Sequence, residues 1–306
     1  LSTKQLISED LPTLLRPINA NSGRFLWGIS TDFSQLPKYF GSLICMVLTP
    51  YRCAETYGVY LRFILSTTVK PNPRSDASKK QQVEEMFDNI SGRYDFLNRV
   101  LSLGIDVQWR KKVRRIIAKA GAKKILDVAT GTADLAIELT EIPETHITGI
   151  DISKGMLSKG DVKLEKLGLT ERIILQQADS ENLPFEDGSF EAITVSFGVR
   201  NFENLEKGMK EMARVLKTGG SLVVLEFSKP RNPIFSAIYW FYFKYILPPL
   251  GRLISKDATA YTYLPESVAV FPEGDDFVNV AKSSGYSNVT YKGLTFGIAT
   301  LYHCVK

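Results

Sequence analysis

From Gln81 onward the chain alternates between two hydrophobic patterns. The first is amphipathic. VEEMFDNISGRYDFLNRVLSLGIDVQWRKKVRRIIAKAG carries two or three such helices, with breaks predicted at Ser91-Gly92 and around Gly104. Gly121 closes the last of them, as a glycine free to take left-handed backbone can. The second pattern is a short, nearly continuous apolar run, as a strand buried on both faces requires. Such runs predict strands over Lys124–Ala129, His146–Asp151, Arg172–Ala178, Phe190–Phe197 and Ser221–Phe227. Between them lie helices over Asp134–Thr140, from a Ser153 cap to about Lys166, and over Asn204–Leu216, the last ended by Gly219-Gly220. Strands alternating with helices of about 10 to 15 residues predict a parallel, doubly wound α/β sheet. Beyond it the pattern predicts an aromatic helix over 234–247, a loop, and a helix over Asp275–Ser284. Two final strands, near Asn288–Tyr291 and Gly297–Cys304, are expected to form a hairpin at one sheet edge. No internal repeat is present.

The first quarter reads differently. Residues 1–75 carry 8 Lys and Arg against 4 Asp and Glu, while residues 76–306 carry 30 against 29, so most of the net +5 sits in the first quarter. No sustained period runs through residues 1–68, and the apolar stretch Gly41–Pro50 is too short to cross a bilayer. This segment reads as an unassigned leader or a non-native extension, with disorder among its readings. Its Ser- and Arg-rich, acid-poor bias fits an organellar transit segment, whereas Leu1 in place of Met, with Glu9 and Asp10, fits translated upstream sequence. VKPNPRSDASKK (69–80) is polar and broken by proline, as a linker or a true start would be. The expected organisation is a leader over 1–68 and one domain over 69–306. That domain divides into a helical cap at about 81–120 and a Rossmann-like core at about 121–306.

Composition narrows the class. A hydrophobic fraction of 44% suffices for a core and excludes disorder as the main character. Cys45, Cys53 and Cys304 are a sparse, odd set that fits a reducing compartment. His146 and His303 lie far apart, no Cys/His cluster has zinc spacing, and no metal site is expected. Near-neutrality from residue 76 onward argues against a nucleic-acid partner, and KKVRR (111–115) reads as the solvated face of one helix.

The turn after the first strand, Asp127-Val-Ala-Thr-Gly-Thr-Ala-Asp134, selects among nucleotide-like ligands. A dinucleotide fingerprint needs G-x-G-x-x-G so that backbone can approach a pyrophosphate. Here Gly131 is the only glycine, and Asp127 at the strand end would repel phosphate. A carboxylate there suits a ligand with a cationic amino-acid end, such as S-adenosyl-L-methionine. Asp151 ends the second strand, where an acid can accept from both ribose hydroxyls. Asp179, just past the third, is placed for the adenine amino group. Asp134 reads as an early-helix acid favoured by the helix dipole. The expected fold is therefore a class I S-adenosylmethionine-dependent methyltransferase. That means a Rossmann-like doubly wound sheet, mostly parallel with an antiparallel edge strand, behind an N-terminal helical cap.

Longer segments carry a closer resemblance. FDNISGRYDFLNRVLSLGIDVQWR (87–110), ILDVATGTADLA (125–136), GIDIS (149–153), SFGVRN (196–201), LVVLEFSKP (222–230), YTYLPESVAVFP (261–272) and GLTFGIATLYHCVK (293–306) resemble the menaquinone/ubiquinone biosynthesis C-methyltransferases. SFGVRN combined with LEFSKP is the most specific pair, and the form is most similar to the bacterial demethylmenaquinone enzymes. The resemblance implies methyl transfer to a ring carbon of a polyprenylated quinol, demethylmenaquinol to menaquinol. The benzoquinol precursor of ubiquinone is the alternative acceptor, and a non-catalytic cofactor-binding or scaffold protein the alternative class.

The resemblance places cofactor contacts on Thr132, Asp151, Asp179, Ser180 and Ser196, with Gly131 giving close approach. Arg200 is expected to hold a water or to stabilise a developing oxyanion, and Asn201 to orient either, unless Arg200 merely pairs with a loop acid. Tyr94 and Asp95 are the substrate-side candidates, while His146 and His303 read as structural. Pro233–Leu250 concentrates seven aromatic residues around Lys244. The resemblance makes it a prenyl tunnel, a homodimer face or a peripheral membrane contact through 234–250; a core helix is the plainer alternative. The expected location is the cytoplasm, including the inner face of a membrane, with organellar targeting by the leader left open.

Overall fold

A computed structural model describes residues 69–102, 104–242, 245 and 259–306. The leader predicted over 1–68 lies outside the described residues, as do 243, 244, 246 and 247 of the predicted aromatic helix.

Three helices precede the sheet: α1 (Lys79–Ile90), α2 (Tyr94–Leu101) and α3 (Ile105–Ala120). Ser78 caps α1 in a reciprocal capping box with Gln81. The chain breaks where predicted, in a 3-10 turn at Ser91–Arg93 and at Gly104, whose φ is 75°. Gly121 closes α3 at φ 68°. The core then alternates β1 (Lys124–Val128), α4 (Asp134–Leu139), β2 (His146–Asp151), α5 (Lys154–Leu167), β3 (Ile173–Gln177), β4 (Phe190–Ser196), α6 (Leu205–Val215) and β5 (Leu216–Phe227). Ser153 caps α5 by accepting from the Met156 amide. After α7 (Pro233–Phe241) come α8 (Thr259–Val270), α9 (Asp275–Ser283), β6 (Asn288–Leu294) and β7 (Ala299–Val305).

Among the described residues the strands form one sheet in the order β3-β2-β1-β4-β5-β7-β6. β1 through β5 pair in parallel; β7 runs antiparallel to both β5 and β6. The predicted hairpin forms, with β7 inserted one place in and β6 outermost, so His303 lies inside the sheet rather than on its edge strand. Consecutive strand residues feed two cores. Leu126, Val128, Ile193 and Val224 meet Met209 and Met212 of α6 and Phe277 of α9. Ile125, Ile147, Ala192 and Val223 meet Val113 and Ile117 of α3 and Leu139 of α4. Each such burial stabilises by roughly 1.5–3 kcal/mol, and covering both faces explains the continuous apolar runs.

Three expectations change. The segment predicted as a loop before α9 is in part helix α8, which contains Pro265; proline reads as a breaker because it removes a donor, yet buried Tyr263 and Val268 hold the helix. β5 begins at Leu216: Phe190 pairs with Leu216 and Ala192 already with Ser221, so 217–220 bulge out and Gly219-Gly220 lies within the strand. The basic cluster of α3 is not wholly solvated, since Arg114 pairs with Glu138 at 3.0 Å. Among the described residues, no helix is long and apolar enough to cross a membrane.

Candidate active site

A cleft of about 710 Å³, its open mouth included, lies at the carboxyl ends of the parallel strands. It sits where strand order reverses on either side of β1, the usual position for a ligand in an open α/β sheet. The turn after β1 forms part of its wall. Ala129, Gly131 and Ala133 all take left-handed backbone, with φ of 53°, 57° and 67°. At the two alanines this costs about 1–2 kcal/mol each. A Cβ on Gly131 would meet nothing nearer than Tyr94 Cε1 at 3.9 Å, so this peptide is open to close approach from the cleft.

Asp151 is the central acid. It is 8% exposed and lines the cleft. Its Oδ2 accepts from the Gly131 amide at 2.8 Å and its Oδ1 from the Ser153 amide at 2.9 Å. Each oxygen keeps a further lone pair for a ligand hydroxyl. Burial pushes the carboxyl up to about 6 against the pull of these amides. Asp179, Ser180 and Ser196 also line the cleft. Asp179 is engaged by Lys80 Nζ at 2.6 Å and accepts from the Glu181 amide at 2.9 Å.

Asp127 is placed otherwise. It is 1% exposed and lies outside the cleft lining. Thr130 and Thr194 hydroxyls each donate to one of its oxygens at 2.6 Å, tying the turn to β4. Burial pushes this carboxyl up to about 6 as well. Asp127 thus braces the turn from behind rather than facing a cationic ligand end. Thr132 and Asp95 also depart from expectation. The Thr132 hydroxyl donates to Asp95, and Lys163 contacts Thr132 at 3.1 Å and both Asp95 and Asp134 at 2.7 Å. This knot joins α2, α4 and α5 away from the cleft lining. Tyr94, the neighbour of Asp95, does line the cleft.

The SFGVRN segment closes the cleft from the β4 side. Phe197 has a φ of 58° and stacks on Phe227, centroids 4.3 Å apart. A Cβ on Gly198 would lie 2.5 Å from the Ala129 Cβ, so this glycine lets the two loops touch. Arg200 lies beneath the cleft lining, its side chain 8% exposed, with Nη1 2.6 Å from Glu226 Oε1 and donating to the Phe197 carbonyl at 2.6 Å. Glu226 is fully buried and also accepts from the Phe227 amide at 2.8 Å. The SFGVRN and LEFSKP segments therefore meet in one buried ion pair. Arg200 Nη1 is committed to that pair, while its Nε is buried with no partner. Asn201 reaches the cleft; its Nδ2 donates to the Phe197 carbonyl at 3.4 Å, and its Oδ1 is buried without a partner.

Sequence reasoning missed the groups that fasten α1 over the site. Lys79 Nζ donates to the carbonyls of Arg200 at 2.9 Å and Phe202 at 2.8 Å. Burial and the nearby Arg200 charge lower its pKa to about 8. Asp88 accepts from the Gly155 amide at 2.8 Å and from the Ser153 hydroxyl. These partners lie far apart in sequence and leave no spacing signal, although Asp88 falls within the 87–110 segment that carries the resemblance. Val83, Phe87, Tyr94 and Met156 line the cleft and also belong to an aromatic cluster with Tyr239, Trp240 and Tyr263.

A doubly wound sheet in this order, with the acid ending β2 bonded to the glycine turn after β1, defines a methyltransferase domain. Residues 75–306 match the ubiE/COQ5 methyltransferase family, and the chain belongs to that family. It is 47% identical over 233 residues to a demethylmenaquinone methyltransferase of Bacteroides fragilis, covering 76% of this chain and 95% of the relative. It is 48% identical over 226 residues to a ubiquinone/menaquinone biosynthesis C-methyltransferase of Geotalea daltonii, covering 73% and 96%. A demethylmenaquinone methyltransferase of Porphyromonas gingivalis is 43% identical over 234 residues, covering 76% and 96%.

Proposed function

We propose that the protein transfers a methyl group from S-adenosylmethionine to a ring carbon of a polyprenylated quinol, demethylmenaquinol in preference to the ubiquinone precursor. The observation that carries this reading is the position of SFGVRN. Ser196, Phe197, Gly198 and Asn201 line the cleft where its polar, strand-end half meets its apolar half. The residues present fit the donor: Asp151 retains acceptor capacity for two ribose hydroxyls, the Gly131 peptide is open, and Asp179 with Ser180 offers polar contacts for the adenine end. When bound, S-adenosylmethionine supplies an electrophilic methyl on a sulfonium.

The chain's own contribution is alignment and exclusion of water. A ring carbon becomes nucleophilic as the neighbouring hydroxyl passes its proton to a water in the open cleft, and the methyl leaves the sulfonium for that carbon. Asn201 Oδ1 can accept that hydroxyl's hydrogen bond, and the Arg200 cation stabilises the oxygen as charge develops. Glu226 holds Arg200 in place, and the Phe197–Phe227 stack covers the pair. The organisation proposed is a leader over 1–68 and a catalytic domain over 69–306.

A lipid-borne substrate calls for access from a membrane. Phe241 and Tyr245 are each more than half exposed with rings 5.3 Å apart, and exposed Phe296 stacks on Phe235 of α7 at 4.0 Å. This aromatic surface supports peripheral contact through 234–250. Liposome co-sedimentation of the protein and of a Phe241→Ser, Phe296→Ser variant tests it; equal binding by both removes the role of this surface. The acceptor is tested by competing reduced demethylmenaquinone against the ubiquinone precursor and comparing kcat/KM. A higher value for demethylmenaquinol is expected, and a higher value for the benzoquinol reverses the assignment.

A further inference from the structure

The polar groups around the apolar half of the cleft are unusual in lacking partners. Buried polar atoms in folded proteins are almost always hydrogen-bonded, because an unmade bond leaves the desolvation cost uncompensated. Here Arg200 Nε, Asn201 Oδ1 and the Tyr263 hydroxyl are all buried and unpartnered. Tyr263 is 2% exposed and comes from α8, which contacts the Val199–Asn201 turn. Its ring packs, just behind the cleft lining, in the hydrophobic cluster that supplies Val83, Phe87, Tyr94 and Met156 to the apolar wall of the cleft. A hydroxyl so placed would be replaced by hydrogen at no cost if packing were its only purpose.

We infer that Tyr263 is a quinol-binding residue, its hydroxyl donating a hydrogen bond to a ring oxygen of the bound quinol. Phenylalanine would fill the same space, so the oxygen has a use only when a polar partner enters. A quinol ring matches the surroundings: an apolar body for the aromatic wall, and oxygens that take a bond from Tyr263 while offering O–H to Asn201. Burial holds the phenol above its ordinary pKa, so it remains a donor at neutral pH. Methyl transfer itself involves no bond to Tyr263, which binds and orients the ring. The inference rests on the quinol reading given above.

The test is Tyr263→Phe, assayed beside the unaltered protein with reduced demethylmenaquinone and S-adenosylmethionine. The expected result is a quinol KM raised about tenfold, with unchanged affinity for S-adenosylmethionine and a Tm equal to or above that of the parent. The parent Tm should also rise more than that of the variant when short-chain menaquinone, a non-reacting ring, is added. An unchanged KM with an active parent overturns the role of Tyr263 alone, as does a lowered Tm with unchanged quinol response. A parent inactive on both quinols overturns the functional reading, and this inference with it.

Discussion

The two halves of the cleft are built on opposite principles. On the strand-end side each acid is already bonded, Asp151 to two amides and Asp179 to Lys80 and an amide, with Asp127 behind the turn held by two hydroxyls. On the aromatic side three buried polar atoms lack partners. The first half is preorganised, so a ligand finds acceptors already aimed and loses little ordering entropy there. The second holds polarity in reserve at a cost to stability of the free protein, to be satisfied when a ring with oxygens arrives. Between them lies the SFGVRN turn, fixed by one buried ion pair, Arg200 with Glu226, and by the close approach that Gly198 allows to the Ala129 side chain.

Breaking the joint should have the largest effect. Glu226→Ala leaves the Arg200 cation buried without its partner and should cost about 3–5 kcal/mol in urea unfolding. A loss below about 1 kcal/mol would mean the halves do not depend on this pair. Next, Asp151→Asn removes charge from the preorganised half. Cofactor affinity by calorimetry should fall by about 1.5–3 kcal/mol, while the quinol KM changes far less.

pH separates the same features. With folded pKa values of about 6 against an ordinary 3.8, Asp127 and Asp151 bind protons more tightly when folded. Their contribution to stability is therefore full below 3.8 and declines as pH rises to about 6. Cofactor affinity should move the other way, weakening as pH falls through about 6 because protonated Asp151 is a poorer acceptor. Titration calorimetry between pH 5 and 8 checks that sign.

Gly198→Ala should cost about 1–3 kcal/mol by driving a Cβ into Ala129, readable as a lowered Tm. The smallest effect is expected from Lys80→Ala. Its pair with Asp179 is about one-third exposed on each side, so stability should change by less than about 1 kcal/mol. Cofactor affinity should hold or tighten, since Asp179 is released to the ligand; a marked weakening would give Lys80 a direct binding role.

The preorganised half was largely legible in the sequence because its chemistry is local. Short apolar runs located β1 to β4, and the residues at their ends, Gly131, Asp151, Asp179, Ser180 and Ser196, line one cleft. The inward turn of Asp127 was not legible, because it depends on Thr194, 67 positions away. Thr132 and Asp95 were likewise diverted by Lys163 from α5. The aromatic half was legible only in part: Tyr94, Asn201 and the aromatic helix were expected, Tyr263 was not. Pro265 hid α8, and Tyr263 meets the Arg200 turn only through tertiary packing.

Methyl transfer to carbon requires the two halves of the cleft to hold donor and quinol together. Incubating the protein with methyl-13C S-adenosylmethionine and reduced demethylmenaquinone, then locating the label by NMR, tests it most directly. One labelled methyl on a quinol ring carbon is expected, with one S-adenosylhomocysteine released per product. Label on a ring oxygen, or no labelled product, would contradict it.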